Sequence, residues 1–231
     1  MARTVPALLQ QLSTDDPGTP RLTWYGADSA RTGERVELSA RVLSTWVAKT
    51  ANLLEEEFTA GPGTSVGLAL PTHWRTVVWQ LAVWATGAEV VLGEDAAGAD
   101  VLVAADAGPL AAALARGGEA VAVDLAPLAT SFSGELPDGA LDYARVVTGY
   151  GDLHVPAPDL AHGPLLAEAA AAARDWPAGV RLLTDAGPER TTGSVLAAFT
   201  RTGSVVLVPD LAGLADGVAE QERVTQVLPA R

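Results

Sequence analysis

Apolar and polar residues alternate along this chain in blocks that predict strands and helices in turn. The clearest block runs from Ser65 to Leu92, SVGLALPTHWRTVVWQLAVWATGAEVVL. Its apolar run at 66–70 is typical of a strand covered on both faces, and 89–92 repeats that pattern. Between the two runs, Thr72 can cap a helix and Gly87 lies where a helix C-cap is expected. Strand, helix and strand joined in this way form a right-handed crossover, so the block predicts two parallel strands of one sheet.

The predicted helix of this block, from Trp74 onward, has an unusual distribution of apolar residues. At about 100° per residue, one broad apolar face should cover the sheet. Trp79 and Val83 fall on the opposite face, among polar residues. We expect them to be covered by a second layer of the same domain or by another subunit, since aromatic residues are enriched at subunit interfaces. The second alternative predicts a homo-oligomer or a protein partner bound through the Trp79 and Val83 face.

The same alternation continues on both sides of this block. Ser39 can cap a long helix, and a hairpin is predicted around Gly33. Alternating strands and helices without a repeat period predict an α/β fold, with mostly parallel sheets covered by helices. The further predicted helices cover residues 3–13, 40–58, 109–116, 164–175, 191–200 and 214–223, and the further predicted strands cover residues 22–25, 35–38, 100–104, 120–124, 180–184, 204–208 and 224–228.

An irregular segment interrupts the pattern from Leu125 to Pro158. It is rich in Gly, Pro, Asp and Ser, and only residues 142–147 are predicted to be ordered. A long irregular segment inside a compact domain is typical of a functional loop, or of one that has lost its function. We therefore predict two sheet-centred α/β lobes divided near this segment, residues 1–150 and residues 151–231.

Composition narrows the classes of protein that need to be considered. The chain has 231 residues, is 48% hydrophobic, and carries 28 acidic against 15 basic residues, for a net charge of −13. That charge opposes binding to nucleic acid or to an anionic membrane. No apolar run reaches the roughly 18 residues of a membrane span, and the chain starts without the apolar stretch of a signal peptide. The absence of cysteine excludes disulfides and thiolate metal sites. We expect a cytoplasmic, globular protein.

Three stretches resemble the N-terminal domain of the AMP-forming adenylate enzymes, the superfamily of acyl-CoA synthetases and peptide-synthetase adenylation domains. Residues 22–57, LTWYGADSARTGERVELSARVLSTWVAKTANLLEEE, resemble the family's opening hairpin and helix. Residues 61–93, GPGTSVGLALPTHWRTVVWQLAVWATGAEVVLG, resemble the strand and helix that follow. Residues 196–209, LAAFTRTGSVVLVP, resemble a later helix and strand. The resemblance implies the two-lobed fold of that domain.

The chain departs from the family where nucleotide is handled. The family's Ser/Thr/Gly-rich phosphate loop, with its lysine, is expected just before Pro164, where residues 148–163 read TGYGDLHVPAPDLAHG. Such a loop needs glycines, so that N–H groups can approach phosphate, and a cation. Asp152 and Asp159 supply the opposite charge, and Lys49 is the only lysine in the chain. The family's adenine- and magnesium-binding segment and its C-terminal lid are expected beyond residue 231. The resemblance therefore implies a shortened member without catalytic residues or a cofactor.

Residues 187–194, GPERTTGS, are the best remaining candidate for an anion site. They resemble a phosphate loop before a helix, but five residues separate the glycines and no lysine follows. We predict at most weak anion binding by the helix N-terminus, the alternative being a plain strand-to-helix turn. The histidines 73, 154 and 162 fit no metal-ligand spacing, so no metal site is predicted. The residues of the predicted anion site are Thr191, Thr192, Gly193 and Ser194.

Three functional hypotheses remain open from the sequence. The first is a non-catalytic relative of the adenylate-forming domain, a pseudoenzyme that acts by binding a partner protein or its own copy. The second is a small-molecule binding protein that has kept an acyl or nucleotide pocket between its lobes. The third is an acyl-adenylate or acyl-CoA ligase completed by another chain, which the degraded phosphate loop disfavours.

Overall fold

The computed structural model describes residues 2–26, 34–127, 129–212 and 217–230. These residues form helices and strands in alternation, in the order that the sequence predicts. Two 3-10 turns, Gly93–Gly98 and Val147–Gly149, connect some of them. Helices α1 to α8 are Val5–Asp15, Ala40–Phe58, Trp74–Thr86, Ala107–Ala115, Tyr143–Val146, Gly163–Ala172, Pro188–Thr200 and Val218–Gln221. Strands β1 to β10 are Pro20–Tyr25, Arg35–Ser39, Ser65–Ala69, Glu89–Val91, Val101–Ala104, Glu119–Ala122, Leu141–Asp142, Arg181–Thr184, Ser204–Leu207 and Gln226–Leu228.

The first of two compact units joins both ends of the chain. It consists of Met1–Ser44, Thr72–Val77 and Leu160–Arg231. Its sheet has the strand order β10-β8-β9-β1-β2, in which β1 and β2 are antiparallel and the other neighbours are parallel. The register sets Leu22 of β1 beside Val205 of β9. A core of buried apolar side chains lies at this sheet: Tyr25, Leu183, Val206, Val208 and Val218.

The second unit is contiguous apart from one excursion of the chain. It consists of Thr45–Pro71 and Val78–Asp159, and its sheet has the order β4-β3-β5-β6-β7 with all neighbours parallel. Gly67 on β3 allows the first 3-10 turn to pack on the strand, since a Cβ there would lie 2.0 Å from the carbonyl oxygen of Ala96. The mixed α/β architecture with mostly parallel sheets covered by helices is therefore confirmed.

The two units do not follow the predicted division at residue 150. Strands β1 and β2 were assigned to the N-terminal lobe, yet they share a sheet with the C-terminal strands β8, β9 and β10. The physical reason is the pairing of β1 with β9, which joins chain segments about 180 residues apart and leaves no trace in local periodicity. The irregular segment, in contrast, belongs wholly to the second unit up to Asp159.

Trp79 and Val83 are covered within the chain itself. Both side chains are fully buried. The Trp79 ring lies 5.0 Å from that of Tyr143, at 48°, and the Tyr143 hydroxyl is 2.7 Å from Thr50 Oγ1. Of the two alternatives, a second layer of the same domain is therefore the one observed. The two side chains present no surface to a partner, so an interface through this face has no exposed residue at these positions. Oligomerisation stays a prediction.

Two predicted helix caps are confirmed and one is corrected. The Ser39 hydroxyl caps α2 by accepting from the N–H of Val42 at 3.3 Å, and Gly87 ends α3 with φ 83°. Thr72 was wrongly predicted to cap α3. His73 caps it instead, because its Nδ1 accepts from the N–H of Arg75 at 3.1 Å, while the Thr72 hydroxyl donates to the carbonyl of Ala186.

Two predicted elements lie partly outside the described residues. Strands β1 and β2 form the expected hairpin, but its turn around Gly33 is outside them. The helix predicted over 214–223 is observed as the short α8 in the part that is described. Among the described residues, no helix has the length and apolar content that crossing a membrane requires.

Candidate functional site

The stretch where the sequence resemblance predicts a phosphate loop is held to α2 by Lys49, the only lysine of the chain. We call residues 148–155 the anchored segment. Lys49 Nζ donates to the carbonyls of Thr148, at 3.2 Å, and Tyr150, at 2.5 Å. It also pairs with the Asp152 carboxylate at 2.8 Å. The side chain of the only lysine therefore binds backbone carbonyls and a carboxylate of the second unit, to which it belongs.

Other α2 side chains fasten the same segment. Asn52 Nδ2 donates to the carbonyls of Gly151, at 3.0 Å, and Leu153, at 2.9 Å. The Tyr150 hydroxyl donates to Glu57 at 2.5 Å, and burial together with this carboxylate raises the pKa of Tyr150. A further contact joins His154 Nε2 to Glu55 Oε1 at 3.0 Å. Side chains from three turns of α2 thus hold the segment.

The hydrogen bonds of the anchored segment have the wrong polarity for a phosphate cradle. A phosphate loop presents N–H donors and a cation to oxygen atoms. Here Lys49 and Asn52 donate, and four backbone carbonyls of the segment accept. Asp152 adds a negative charge that is 70% exposed. The arrangement is that of a loop fastened by a cation, and its exposed carboxylate repels an incoming anion.

The predicted anion-site residues lie further inside a helix than expected. Helix α7 begins at Pro188, three residues before the predicted start. The Thr191 hydroxyl donates to the carbonyls of Ala186 and Gly187, at 2.6 and 2.9 Å, and the Ser194 hydroxyl donates to Arg190 at 3.0 Å. This back-bonding to carbonyls is common for Ser and Thr in helices.

Two of the four predicted residues make no such bonds. Thr192 Oγ1 is buried without a hydrogen-bond partner among the described residues, and Gly193 is exposed with open space at its Cβ position. The four residues are therefore neighbours on one helix, but two of their hydroxyl groups are already engaged. Anion binding here stays a prediction.

The first unit contains a charged cluster around the buried Glu222, the Glu222 cluster, which was not found from the sequence. Glu222, next to the end of α8, is 5% exposed. Its carboxylate accepts from the Tyr25 hydroxyl at 2.6 Å, from Arg35 Nε at 2.8 Å and from the Arg181 guanidinium. Arg181 also donates to Thr23 on β1. The partners come from widely separated positions, so no motif in the sequence marks the site.

The electrostatics of this Glu222 cluster are those of a closed structural link. Burial by itself would raise the pKa of the Glu222 carboxyl, but hydrogen bonds from Arg35, Tyr25 and Arg181 outweigh it and lower that pKa to about 2. Burial and the Glu222 contact raise the pKa of Tyr25. The carboxylate is therefore ionised at neutral pH with its donors in place, and it ties β1, β2, β8 and α8 together.

The three histidines are spread over separate places. His73 packs edge-on against Trp24, with ring centroids 4.3 Å apart at 69°. His162 Nδ1 accepts from the N–H of Val5 at 3.1 Å, and burial lowers the pKa of His162. His154 lies on the anchored segment beside Glu55. Within the described ranges, no group of three or more His, Asp or Glu side chains is arranged to hold a metal ion.

One small cavity lies in the first unit between α1, α6 and α7. Its volume is about 110 Å³, below the roughly 300 Å³ at which ordinary ligand pockets begin. Apolar side chains including Leu8, Leu12, Leu166 and Phe199 line it, and Thr200 and Thr202 add polar groups. The space suits a few carbon atoms and is too small for a nucleotide.

Comparison with known proteins gives one close relative and many structural ones. No family model matches the chain. A curated "TIGR03089 family protein" of Mycobacterium tuberculosis (strain ATCC 25618 / H37Rv) is 40% identical over 243 residues, which cover 96% of this chain and 96% of the relative. The similarity therefore extends over nearly the full length of both proteins.

Solved structures with the same fold include acyl-CoA synthetases. The Brucella canis acyl-CoA synthetase has a TM-score of 0.74 at 16% identity, and the match covers 98% of this chain and 47% of that one. The acetoacetyl-CoA synthetase from Streptomyces lividans has a TM-score of 0.74 at 18% identity, and the match covers 98% of this chain and 42% of that one. A Mycobacterium tuberculosis fatty acyl CoA synthetase has a TM-score of 0.70 at 14% identity, and the match covers 97% of this chain and 49% of that one. The chain thus spans about half the length of these synthetases and has the fold of their N-terminal domain.

Proposed function

Because the chain belongs to the TIGR03089 protein family, with the fold of an acyl-CoA synthetase N-terminal domain, we propose that it is a non-adenylating form of that fold. In this proposal the protein is a cytoplasmic pseudoenzyme that acts by binding another protein. Its α/β scaffold supplies a rigid surface, and acyl-adenylate chemistry is absent. The lack of cysteine is compatible with that compartment.

A single observation carries the proposal, the engagement of Lys49. Adenylate formation requires cationic groups that neutralise the phosphates and the developing charge. Lys49 is the only lysine, and its three donors are occupied by the carbonyls of Thr148 and Tyr150 and by the Asp152 carboxylate. These contacts support a structural role for the one lysine, which lies on α2 and holds the stretch where the resemblance predicts a phosphate loop.

The test is ATP–pyrophosphate exchange with the full chain and a broad panel of carboxylic acids, run beside an active acyl-CoA synthetase. We expect no exchange above the no-enzyme background for any acid. Exchange that is retained on repurification and lost in the Lys49→Met variant would overturn the proposal, because it would assign catalysis to the fastened lysine. Exchange that Lys49→Met retains would overturn it as well, with the arginines as the source of the cation.

The small cavity favours a second candidate function, the binding of a short apolar ligand. Its lining of Leu8, Leu12, Leu166 and Phe199 suits an alkyl group better than a nucleotide. Thermal unfolding in the presence of ATP, acyl-CoAs and short fatty acids separates the candidates, because a ligand that binds only the folded state raises the melting temperature. A shift with short acyl compounds that Leu12→Phe removes, by filling the cavity, would favour the ligand-binding function.

A further inference from the structure

Strand β2 is an edge strand, and only one of its two sides is paired. It lies beside β1 at the end of the sheet of the first unit, and among the described residues no strand lies beyond it. Its register with β1 is unbroken from Arg35 to Leu38, so no bulge twists this part of the strand away. A regular, unpaired edge of this kind is a template for pairing with another chain.

The hydrogen bonds between β1 and β2 determine which backbone groups face outward. The N–H of Gly26 donates to the carbonyl of Glu34 at 3.1 Å. In an antiparallel pair every second residue of a strand bonds to the same neighbour, so Val36 also bonds to β1. The N–H and C=O groups of Arg35 and Glu37 therefore face away from β1. Within the part of the chain that the structure describes, these groups have no hydrogen-bond partner.

The side chains of β2 differ between the two faces of the sheet. Arg35 and Glu37 lie on the outer face, where they form an ion pair with side chains 33% and 35% exposed. The Arg35 guanidinium is held in place by Glu222, at 2.8 Å. Val36 and Leu38 lie on the opposite face, where Leu38 is buried and Val36 is partly exposed. The edge thus carries a cation and an anion on either side of a partly exposed valine.

This arrangement is complementary to itself under two-fold symmetry. When two copies of β2 pair antiparallel about an axis at Val36, Arg35 of each copy lies directly opposite Glu37 of the other. The outward backbone groups of Arg35 and Glu37 then form the hydrogen-bonded pairs, and Val36 meets its own copy in a non-hydrogen-bonded pair, as the bonds to β1 require. Opposite charges placed directly across two strands stabilise the pairing, and two-fold symmetry makes each contact twice.

Charge also selects this register over its neighbours. An axis at Arg35 or at Glu37 preserves the hydrogen-bond alternation, but it places two arginines or two glutamates directly opposite each other, and such like-charge pairs are destabilising. The net charge of −13 opposes self-association. That repulsion is screened by salt beyond about 10 Å, whereas the pairs between Arg35 and Glu37 are in contact. Because β2 carries both signs of charge, its own copy is the complementary partner.

We propose that β2 is a homodimer interface, at which two copies of this chain pair antiparallel about Val36 and join their sheets into one. The dimer does not depend on the proposed function, since it uses none of the Lys49 contacts. It also uses a surface other than the Trp79 and Val83 face, whose side chains are buried. Pairing over one short strand gives a small interface, so we expect a reversible dimer with a dissociation constant of about 1–100 µM.

The absence of cysteine in the chain allows a direct test of the register. The Cα atoms of a non-hydrogen-bonded pair lie about 4.5 Å apart, a separation that a disulfide spans. Mild oxidation of Val36→Cys should therefore give a disulfide-linked dimer on a non-reducing gel. The control Asp175→Cys places its thiol at a side-chain position that is 87% exposed and should stay monomeric. Circular dichroism checks that both variants keep the fold.

A charge reversal tests the contact between Arg35 and Glu37 of the two copies. Glu37→Lys places cations opposite each other at both contacts, so sedimentation equilibrium should show a dimer dissociation constant raised by about tenfold or more. The matched control, Glu94→Lys, makes the same change of net charge at an exposed position of the second unit. It should dimerise at least as strongly as the parent, because the net negative charge is reduced. Bulk charge alone predicts that Glu37→Lys does the same.

Three results would overturn the inference. One is equal crosslinking of Val36→Cys and Asp175→Cys. Another is a parent chain that sediments as a monomer at about 1 mM. The third is a dimer that Glu37→Lys leaves unchanged, which would assign self-association to another surface. Pyrophosphate exchange by the same samples bears only on the proposed function, so each proposal can fail while the other stands.

Discussion

Each of the two units has a charged side chain that holds chain segments together. In the first unit this is the carboxylate of Glu222, which is buried, and in the second it is the ammonium group of Lys49, which lies nearer to solvent. The Glu222 side chain is 3% exposed and meets two arginines and a tyrosine. Lys49 is 17% exposed and its acidic partner, Asp152, is 70% exposed. Charge interactions weaken as water approaches, and a buried charge stripped of its partner is costly. The difference teaches that burial, more than the number of contacts, decides how much each link stabilises the fold.

The largest expected effect follows from removing the buried carboxylate. Glu222→Ala leaves Arg35 and Arg181 without their buried partner, so we expect the free energy of unfolding to fall by about 3–5 kcal/mol. Urea denaturation measures it. The matched control is Asp175→Ala, whose side chain is 87% exposed and pairs with Arg174 on the surface, and it should change stability by less than about 0.5 kcal/mol. A loss below about 1 kcal/mol for Glu222→Ala would contradict the role given to burial.

An intermediate change in the free energy of unfolding is expected when the pH is lowered. The pKa of Glu222 in the folded protein is about 2, below its ordinary value of 4.5. A carboxyl whose pKa is lowered by folding stabilises the protein fully above its unfolded pKa, and that contribution is lost as pH falls toward the folded pKa. The difference in unfolding free energy between the parent and Glu222→Gln should therefore shrink by about 2–3 kcal/mol between pH 6 and pH 2.

Denaturation at several pH values checks this dependence on Glu222. Comparing the two proteins at each pH cancels the other acids that titrate in the same range. A difference that stays constant with pH would show that the carboxylate charge does not contribute in the way the contacts indicate.

The smallest effect on stability is expected from the exposed link. Lys49→Gln should lower the free energy of unfolding by less than about 1 kcal/mol, because its ion pair with Asp152 is solvated. Amide hydrogen exchange in residues 148–155 should nevertheless become faster, since the carbonyls of Thr148 and Tyr150 lose their donor. The control Arg145→Gln removes a cation of the same unit that is 68% exposed and should leave exchange in this segment unchanged. A loss of stability as large as that of Glu222→Ala would make the anchored segment part of the core.

Local pattern was sufficient for strands β3 to β6 of the second unit, but it predicted neither the short strand β7 nor the sheet of the first unit. Strands β3 to β6 follow one another in the chain between Ser65 and Ala122, and helices or a short 3-10 turn connect them. Their apolar runs and the helix ends at Ser39 and Gly87 could be read from neighbouring residues. The first unit pairs β1 with β9 across the length of the chain, and no residue near β1 encodes the partner.

For the candidate sites, too, local sequence pattern predicted some features and missed those that depend on tertiary contacts. The type and spacing of residues predicted the absence of a phosphate loop and showed that Lys49 is the only lysine, because glycines and lysines can be counted in the sequence. The acceptors that Lys49 meets, and the gathering of Tyr25, Arg35 and Arg181 around Glu222, depend on which segments lie together in space. Thr72 was mistaken for a helix cap because the neighbouring His73 accepts the bond with a ring nitrogen.

By itself, the sequence determined most of the elements and the α/β class, since hydrophobic periodicity and residue chemistry are local properties; the loss of the phosphate loop stays a prediction. Only the tertiary structure decided which layer covers Trp79 and Val83, which groups the single lysine binds, and which apolar side chains remain exposed to solvent. Burial and pairing depend on contacts between residues far apart in the chain. Leu153 and Val155 resemble other loop residues in the sequence, and only the structure shows that both side chains are almost completely exposed.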